Sequence, residues 1–202
     1  MDKLNITLEP NQKIFFSSDQ HFGHRNVLKF CDRPFADIKE MGETLIYNWN
    51  SVVSDCDIVV TLGDLCWFND SRTIKNIISK LNGKEIYITL GNHDKYESFH
   101  RVIDERFHII DSISHIFLRS EEENRWAKSS YEIICSHYPL MTWSHRDQGA
   151  LNLFGHIHSG NRTKCELDQD LPLWPNMLDV GVDNQEYTPI SFEDVLKQLE
   201  RT

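Results

Sequence analysis

A chain of 202 residues is sized for one domain with a core of its own, and 40% hydrophobic with 26% charged residues excludes an extended disordered tract. Its 21 Lys and Arg are outnumbered by 31 Asp and Glu, a formal charge of −10. That sign argues against stable binding of long duplex DNA, which rewards cations placed along the phosphates.

The N-terminal MDKLNITLEPNQKIFF lacks a cationic start followed by an apolar run, so no secretory signal is expected. No apolar stretch approaches the roughly 20 residues that cross a bilayer. Cys31, Cys56, Cys66, Cys135 and Cys165 form no C-x-x-C and leave one thiol over in any pairing, the pattern of reduced thiols. The expected compartment is the cytoplasm, with no membrane partner.

Lys13–Ser17 reads as a strand ending in Ser18-Asp19. From about Asp37 to Val53, Ile38, Met41, Leu45, Ile46, Trp49 and Val53 recur at helical spacing. Asp57–Leu62 is a second strand, too apolar to be half exposed, and stops at Gly63-Asp64. Asp70 or Ser71 can cap a helix carrying Ile74, Ile77, Ile78 and Leu81, with Asn82-Gly83 as its stop. Glu85–Leu90 is a third strand, ending at Gly91-Asn92, and a helix is expected near Tyr96–Phe107. Further strands are expected near 108–111, 114–118, 131–135, 150–154 and 177–181, with a polar hairpin loop over Arg119–Ser130 and a long loop over Ser159–Pro175. Ser191-Phe192-Glu193-Asp194 resembles a capping box opening a last helix. Strands alternating with helices predict an α/β layered fold, and no repeat or linker divides residues 1–202.

The polar residues at the strand ends carry the chemistry. They are Asp19-x-His21, Gly63-Asp64, Gly91-Asn92-His93-Asp94, Ser136-His137 and Gly155-His156-Ile157-His158. Ligands of α/β folds bind beyond the carboxyl ends of the strands, so these groups are expected to converge on one edge. Carboxylate, imidazole and amide oxygen without thiolate suit Mn, Fe, Zn, Ni or Co.

The ordered set resembles the calcineurin-like metallophosphoesterases, whose pattern runs D-x-H, G-D, G-N-H-D/E, H, G-H-x-H. Ser18–Asn26, Asp179–Asp183 and Thr188–Ser191 are similar to the small stand-alone bacterial and phage members. The resemblance implies a four-layer α/β/β/α sandwich with a centre for two divalent metal ions at the strand C-terminal ends, Mn²⁺ first among the compatible ions. It implies Asp19, His21 and His158 on one metal, Asn92, His137 and His156 on the other, and Asp64 bridging both. It further implies a bridging hydroxide as nucleophile, and His93 beside the leaving-group oxygen with Asp94 holding its ring.

His24, Arg25, Asn26 and Arg146 are the candidate substrate contacts, and Trp67, Phe68, Tyr138 and Trp143 are aromatics near the motifs that can either stack a base or fill the core. Two dications outweigh the carboxylates of Asp19 and Asp64, so a positive pocket is compatible with an acidic surface. The expected activity is hydrolysis of phosphodiesters, with a small phosphate ester, nucleotide (cyclic nucleotides included) or short oligonucleotide as substrate. A phosphomonoesterase and a non-catalytic metal-binding scaffold are the alternatives. Gly63-Asp64 is followed by Leu65-Cys66-Trp67, not the Asp-Arg-Gly group of the family's protein Ser/Thr phosphatases.

Overall fold

The computed structural model describes residues 3–158 and 174–200. Cys165 and most of the loop expected over 159–175 lie outside the described residues. The elements run β1 (Lys3–Leu8), β2 (Ile14–Ser17), α1 (Val27–Phe30), α2 (Ile38–Val52), β3 (Ile58–Thr61), α3 (Ser71–Ile78), β4 (Glu85–Ile88), α4 (Tyr96–Phe99), β5 (Phe107–Ile109), β6 (Ile113–Ser120), β7 (Ser130–Ser136), β8 (Leu151–Phe154), β9 (Met177–Asp179), β10 (Ile190–Ser191) and α5 (Phe192–Leu199).

Two five-stranded sheets form, with orders β10-β2-β3-β4-β5 and β1-β6-β7-β8-β9. The pairs β2–β3, β3–β4, β4–β5, β7–β8 and β8–β9 are parallel, so most strands point their carboxyl ends the same way within each sheet. The apolar runs of β2 and β3 follow from burial on both faces. Ile14, Phe16, Ile58, Val60 and Leu62 meet Ile6, Leu8, Ile116, Leu118, Ile133 and Leu153 between the sheets. The alternate residues Phe15 and Val59 face outward beneath α2 and α3, against Met41, Leu45, Trp49, Ile74, Ile77 and Ile78.

Local chemistry sets the helix boundaries. Asp37 caps α2 by accepting from the Lys39 and Glu40 amides, and Asp70 caps α3 by accepting from Thr73 N at 2.8 Å. Ser191 caps α5 by accepting from Asp194 N at 3.2 Å, as the expected capping box requires. Trp49 closes the α2 face, 1% exposed, with its indole N–H on Asn82 O at 2.9 Å. Truncating a ring buried in this way costs about 3–5 kcal/mol.

The two packed sheets are those of the expected sandwich. The outer face of the first sheet is covered by helices. Among the described residues, the outer face of the second is covered by loop and one short 3-10 turn at Arg146–Gln148, with Trp143, Ala150 and Ile157 packed on Ile134, Phe154 and Met177. The α5 helix packs with the inter-sheet core instead, where Phe192 and Val195 are fully buried.

The sheets are stitched together at the edge where the motifs lie. Ser18 bridges to Gly181, Val182 N donates to Ser18 O at 3.0 Å, and Ser18 Oγ donates to Leu62 O at 3.0 Å. Loops from both sheets are thereby held within side-chain reach of one another.

Candidate metal centre

Every motif lies just beyond a strand end. Asp19 and His21 follow β2, Asp64 follows β3, Asn92 and His93 follow β4, His137 follows β7, and His156 and His158 follow β8. Five of these residues hold left-handed backbone: Asp19 at φ 60°, His21 at 52°, Asp64 at 53°, His156 at 72° and His158 at 45°. Such conformations cost about 1–3 kcal/mol each and persist where the surroundings over-determine them. Five of the eleven such non-glycine residues among the described residues lie in these loops.

Asp64 is the hub. Its Oδ2 lies 3.5 Å from His21 Nε2, 3.6 Å from His137 Nε2 and 3.8 Å from His93 Nε2. Asp19 Oδ1 lies 4.0 Å from His21 Nε2 and 3.9 Å from His158 Nε2. The separations of Asp64 and Asp19 from His21, His137 and His158 are too long for good hydrogen bonds and suit atoms that share a cation. Donor atoms of Asp19, His21 and His158 fall within 4.8 Å of one another, and so do those of Asp64, His137 and His156. Asn92 joins the second group through Oδ1, 3.1 Å from His137 Nε2.

Backbone groups aim these side chains. Asp64 Oδ1 accepts from His93 N at 2.9 Å and Asp19 Oδ2 accepts from His156 N at 2.9 Å, leaving the second oxygen of each carboxylate for the centre. His137 Nδ1 contacts Leu62 O at 2.8 Å, which assigns the proton to Nδ1 and frees Nε2. Two glycines make the close approach possible. A Cβ at Gly91 would fall on the Asp64 carboxylate, and a Cβ at Gly155 on Asp19 Oδ2 and Ser18 Oγ. Gly155→Ala is therefore expected to fold but to lose divalent-ion binding, measurable by calorimetric titration with Mn²⁺; unaltered binding would show that this approach is dispensable.

The electrostatics fit cations. Burial pushes the Asp19 carboxyl up to about 6 and holds His21 well below the ordinary histidine value. Burial opposes protonation of His158, but the Asp19 carboxylate and the hydrogen bond to Asp183 outweigh it and raise that ring to about 11, a preference for positive charge that a cation at Nε2 would satisfy in place of the proton. Asp19 Oδ1 and both ring nitrogens of His21 are buried without a hydrogen-bond partner. Buried polar atoms left so are rare, and Asp19 Oδ1 and His21 Nε2 face one donor cluster, as residues shaped around an ion would. The all-N/O donor set suits divalent transition metals.

Asp94 departs from expectation. Its carboxylate accepts from the main chain, from Gly91 N at 3.0 Å, Cys66 N at 3.3 Å and Leu65 N at 3.4 Å, whereas the carboxylate paired with the His93 ring is Asp64. Asp94 thus ties the Gly63-Asp64 loop to the Gly91-Asn92 loop, and burial pushes its carboxyl up to about 7.

The candidate substrate contacts separate. His24 joins the cluster, its ring 5.2 Å from His21 and 5.4 Å from His93, with burial and then the His93 charge lowering its pKa. Arg25 and Asn26 line a different groove with Leu28, Phe35 and Ile38. Arg146 lies over the Trp174 ring at 4.0 Å and pairs with Asp147 at 3.0 Å. The aromatics separate too: Phe68 and Trp143 pack into the core, while Trp67 and Tyr138 stay half exposed. Trp67 stacks on His24 at 4.0 Å, and Tyr138 lies 4.4 Å from the His156 ring and donates to Asn92 Oδ1 at 3.4 Å.

A calcineurin-like phosphoesterase family model matches residues 12–171, most of the chain and every motif above. The chain belongs to the calcineurin-like phosphoesterases. This phosphoesterase is 32% identical over 193 residues to uncharacterized protein MJ1445 of Methanocaldococcus jannaschii, covering 94% of this chain and 93% of the other. It is 28% identical over 162 residues to Gene 66 protein of Mycobacterium phage L5, covering 72% and 77%. The crystal structure of AQ665 from Aquifex aeolicus, a protein of unknown function, is similar with a TM-score of 0.65 at 26% identity, over 93% of this chain and all of that one. The family is one of metal-dependent phosphoester hydrolysis at two divalent ions. Among the described residues, no helix of the phosphoesterase is long and apolar enough to cross a membrane.

Two residues that sequence reasoning left without a role stand behind the centre. Asp183 Oδ2 meets His158 Nδ1 at 2.6 Å, and Arg33 donates to both oxygens of Asp183. Asp183 was legible only as part of the Asp179–Asp183 resemblance, and Arg33 carried no signal.

Proposed function

We propose that the chain is a two-metal phosphodiesterase acting on small diesters, nucleotides or short oligonucleotides. The observation that carries the reading is the meeting of two donor groups on Asp64 Oδ2, with His93 placed beside them. Asp19, His21 and His158 would hold one cation, Asn92, His137 and His156 the other, and Asp64 would contact both. When bound, the two cations supply Lewis-acid polarisation of the phosphoryl group and acidification of a water molecule.

The rest falls to the protein. His93 Nε2 lies on the Asp64 side of the cluster with its side chain 30% exposed, so it can reach solvent or a bound ester. That position supports a proton donor for the departing alkoxide, a group that needs one more in diesters than an aryl oxide does. Asp94 fixes the loop that carries His93. Trp67 and Tyr138 border the cluster, on the His24/His93 side and the His156 side, and offer planar faces to a base or aryl group. The electropositive field expected of the dications is confined to this edge, which favours compact anions over a duplex against the acidic surface. Mn²⁺ is the first metal to test, with Fe, Zn, Ni and Co compatible with the same donors.

Turnover of an aryl phosphodiester and of the matching aryl monoester, both with Mn²⁺, tests the reading. Diester turnover exceeding monoester turnover is expected. A monoester preference above about tenfold, worth about 1.4 kcal/mol in the barrier, would reverse it in favour of a phosphomonoesterase. Two bound metal ions with neither activity would favour a scaffold.

A further inference from the structure

The Arg33–Asp183 pair is buried to 0% side-chain exposure. Arg33 Nε donates to Asp183 Oδ1 at 2.9 Å and a terminal guanidinium nitrogen donates to Oδ2 at 2.7 Å. The same guanidinium donates to Asp19 O at 2.6 Å and to Gln20 O at 3.0 Å. Asp183 Oδ2 is also the partner of His158 Nδ1 at 2.6 Å. One cation therefore grips the main chain beside Asp19, after β2, and the carboxylate that holds His158, across the seam between the two sheets.

We propose that Arg33 and Asp183 are positioning residues that fix the His158 ring with its proton on Nδ1, so that Nε2 faces the cation shared with Asp19 and His21. The inference rests on the two-metal reading above and names the support of one of its two sites. A carboxylate behind a metal-bound imidazole fixes the tautomer and raises the basicity of the ligating nitrogen. Arg33 completes the arrangement: its guanidinium holds both oxygens of Asp183, so the carboxylate stays aimed at Nδ1 and accepts a hydrogen bond there. Leaving such a charge buried and unpaired would be strongly destabilising, which accounts for the bidentate fork.

A competing use of the same atoms is a metal site made by Cys31, His158 and Asp183, whose donor atoms also lie within 4.8 Å of one another. Both oxygens of Asp183 are already engaged by Arg33, and a guanidinium at 2.7 Å repels a second cation. The group therefore orients a ligand and does not bind an ion itself. The second metal group has a different support, the Leu62 carbonyl behind His137, so the two sites are separable by mutation.

The test is a calorimetric titration of the purified full chain with Mn²⁺, comparing the native protein, Asp183→Ala, the isosteric Asp183→Asn and His156→Ala. The native chain is expected to bind two ions. Asp183→Ala is expected to weaken one site by about 10–100-fold and leave the other unchanged, Asp183→Asn to weaken the same site less, and His156→Ala to weaken the opposite one. Long-range ¹H–¹⁵N spectra of the Zn²⁺-loaded protein are expected to show His158 protonated on Nδ1, and to lose that fixed form in Asp183→Ala. If Asp183→Ala does not fold, the Asp183→Asn isotherm decides. Two unchanged sites in Asp183→Asn overturn the proposal while leaving the two-metal reading intact, and equal weakening of both sites with a lowered Tm overturns it in favour of a structural role. A native chain that binds no divalent ion overturns the two-metal reading and this inference together.

Discussion

Asp64→Ala is expected to lose phosphoesterase turnover by on the order of 10³-fold or more, the equivalent of several kcal/mol of transition-state stabilisation by metal ions. One oxygen of Asp64 lies within 3.5–3.8 Å of imidazole nitrogens from His21, His93 and His137, while the other is fixed by the His93 amide. Deleting the carboxylate removes the contact common to both proposed cations and leaves three imidazoles without their anion. Two measurements check this, metal content after gel filtration and kcat/KM on an aryl diester. Loss of bound metal together with activity is expected. A variant that keeps both ions and most of its turnover would show that Asp64 is not the bridge.

His93→Ala is expected to behave in the opposite sense with respect to metal. Its ring is paired with Asp64 at 3.8 Å yet partly open to solvent; its donor atom also lies within 4.8 Å of those of His21 and Asp64, but the Asp19/His21/His158 and Asp64/His137/His156 groups do not include it. Both ions should remain, while turnover of alkyl phosphodiesters falls by about 10²–10⁴-fold, the usual contribution of a positioned acid or base. An aryl diester, whose leaving group departs without a proton, should lose less. Unchanged turnover of the alkyl substrate would remove His93 from the chemistry, and loss of a metal ion would make it a ligand.

The strand ends were legible because the chemistry there is dense. Buried parallel strands have to be apolar, the chain has to turn sharply after them, and glycine followed by Asp, Asn or His marks three of the five turns, at Gly63-Asp64, Gly91-Asn92 and Gly155-His156. Other elements were illegible for physical reasons. The strand Lys3–Leu8 lies at a sheet edge with a buried pattern confined to alternate residues near its end, so Lys3, Asn5 and Thr7 mask it. The two-residue strand Ile190–Ser191 is specified by its antiparallel pairing with Phe15 and Phe16, not by local sequence. The helix expected over Tyr96–Phe107 is cut to Tyr96–Phe99 and a 3-10 turn, because Asp104 accepts from the Arg106 and Phe107 amides and starts β5 instead.

Within the site, legibility tracked distance along the chain. Each proposed ligand belongs to a local motif, and the fold brings all seven to one edge. What supports them is long-range. Arg33 and Asp183 are 150 positions apart, and nothing in either segment marks the fork they form. Asp94 illustrates the converse. Its adjacency to His93 in sequence implied a side-chain contact, but in this turn neighbouring side chains diverge, and its carboxylate closes on three backbone amides from two loops.

The central claim is that the donors gathered on Asp64 form a centre for two divalent cations. Anomalous diffraction from crystals grown with Mn²⁺ tests it most directly. Two peaks about 3.5–4 Å apart, one among Asp19, His21 and His158 and the other among Asn92, His137 and His156, with Asp64 between them, are the expected result. A single ion, or peaks that leave Asp64 uncoordinated, would contradict it.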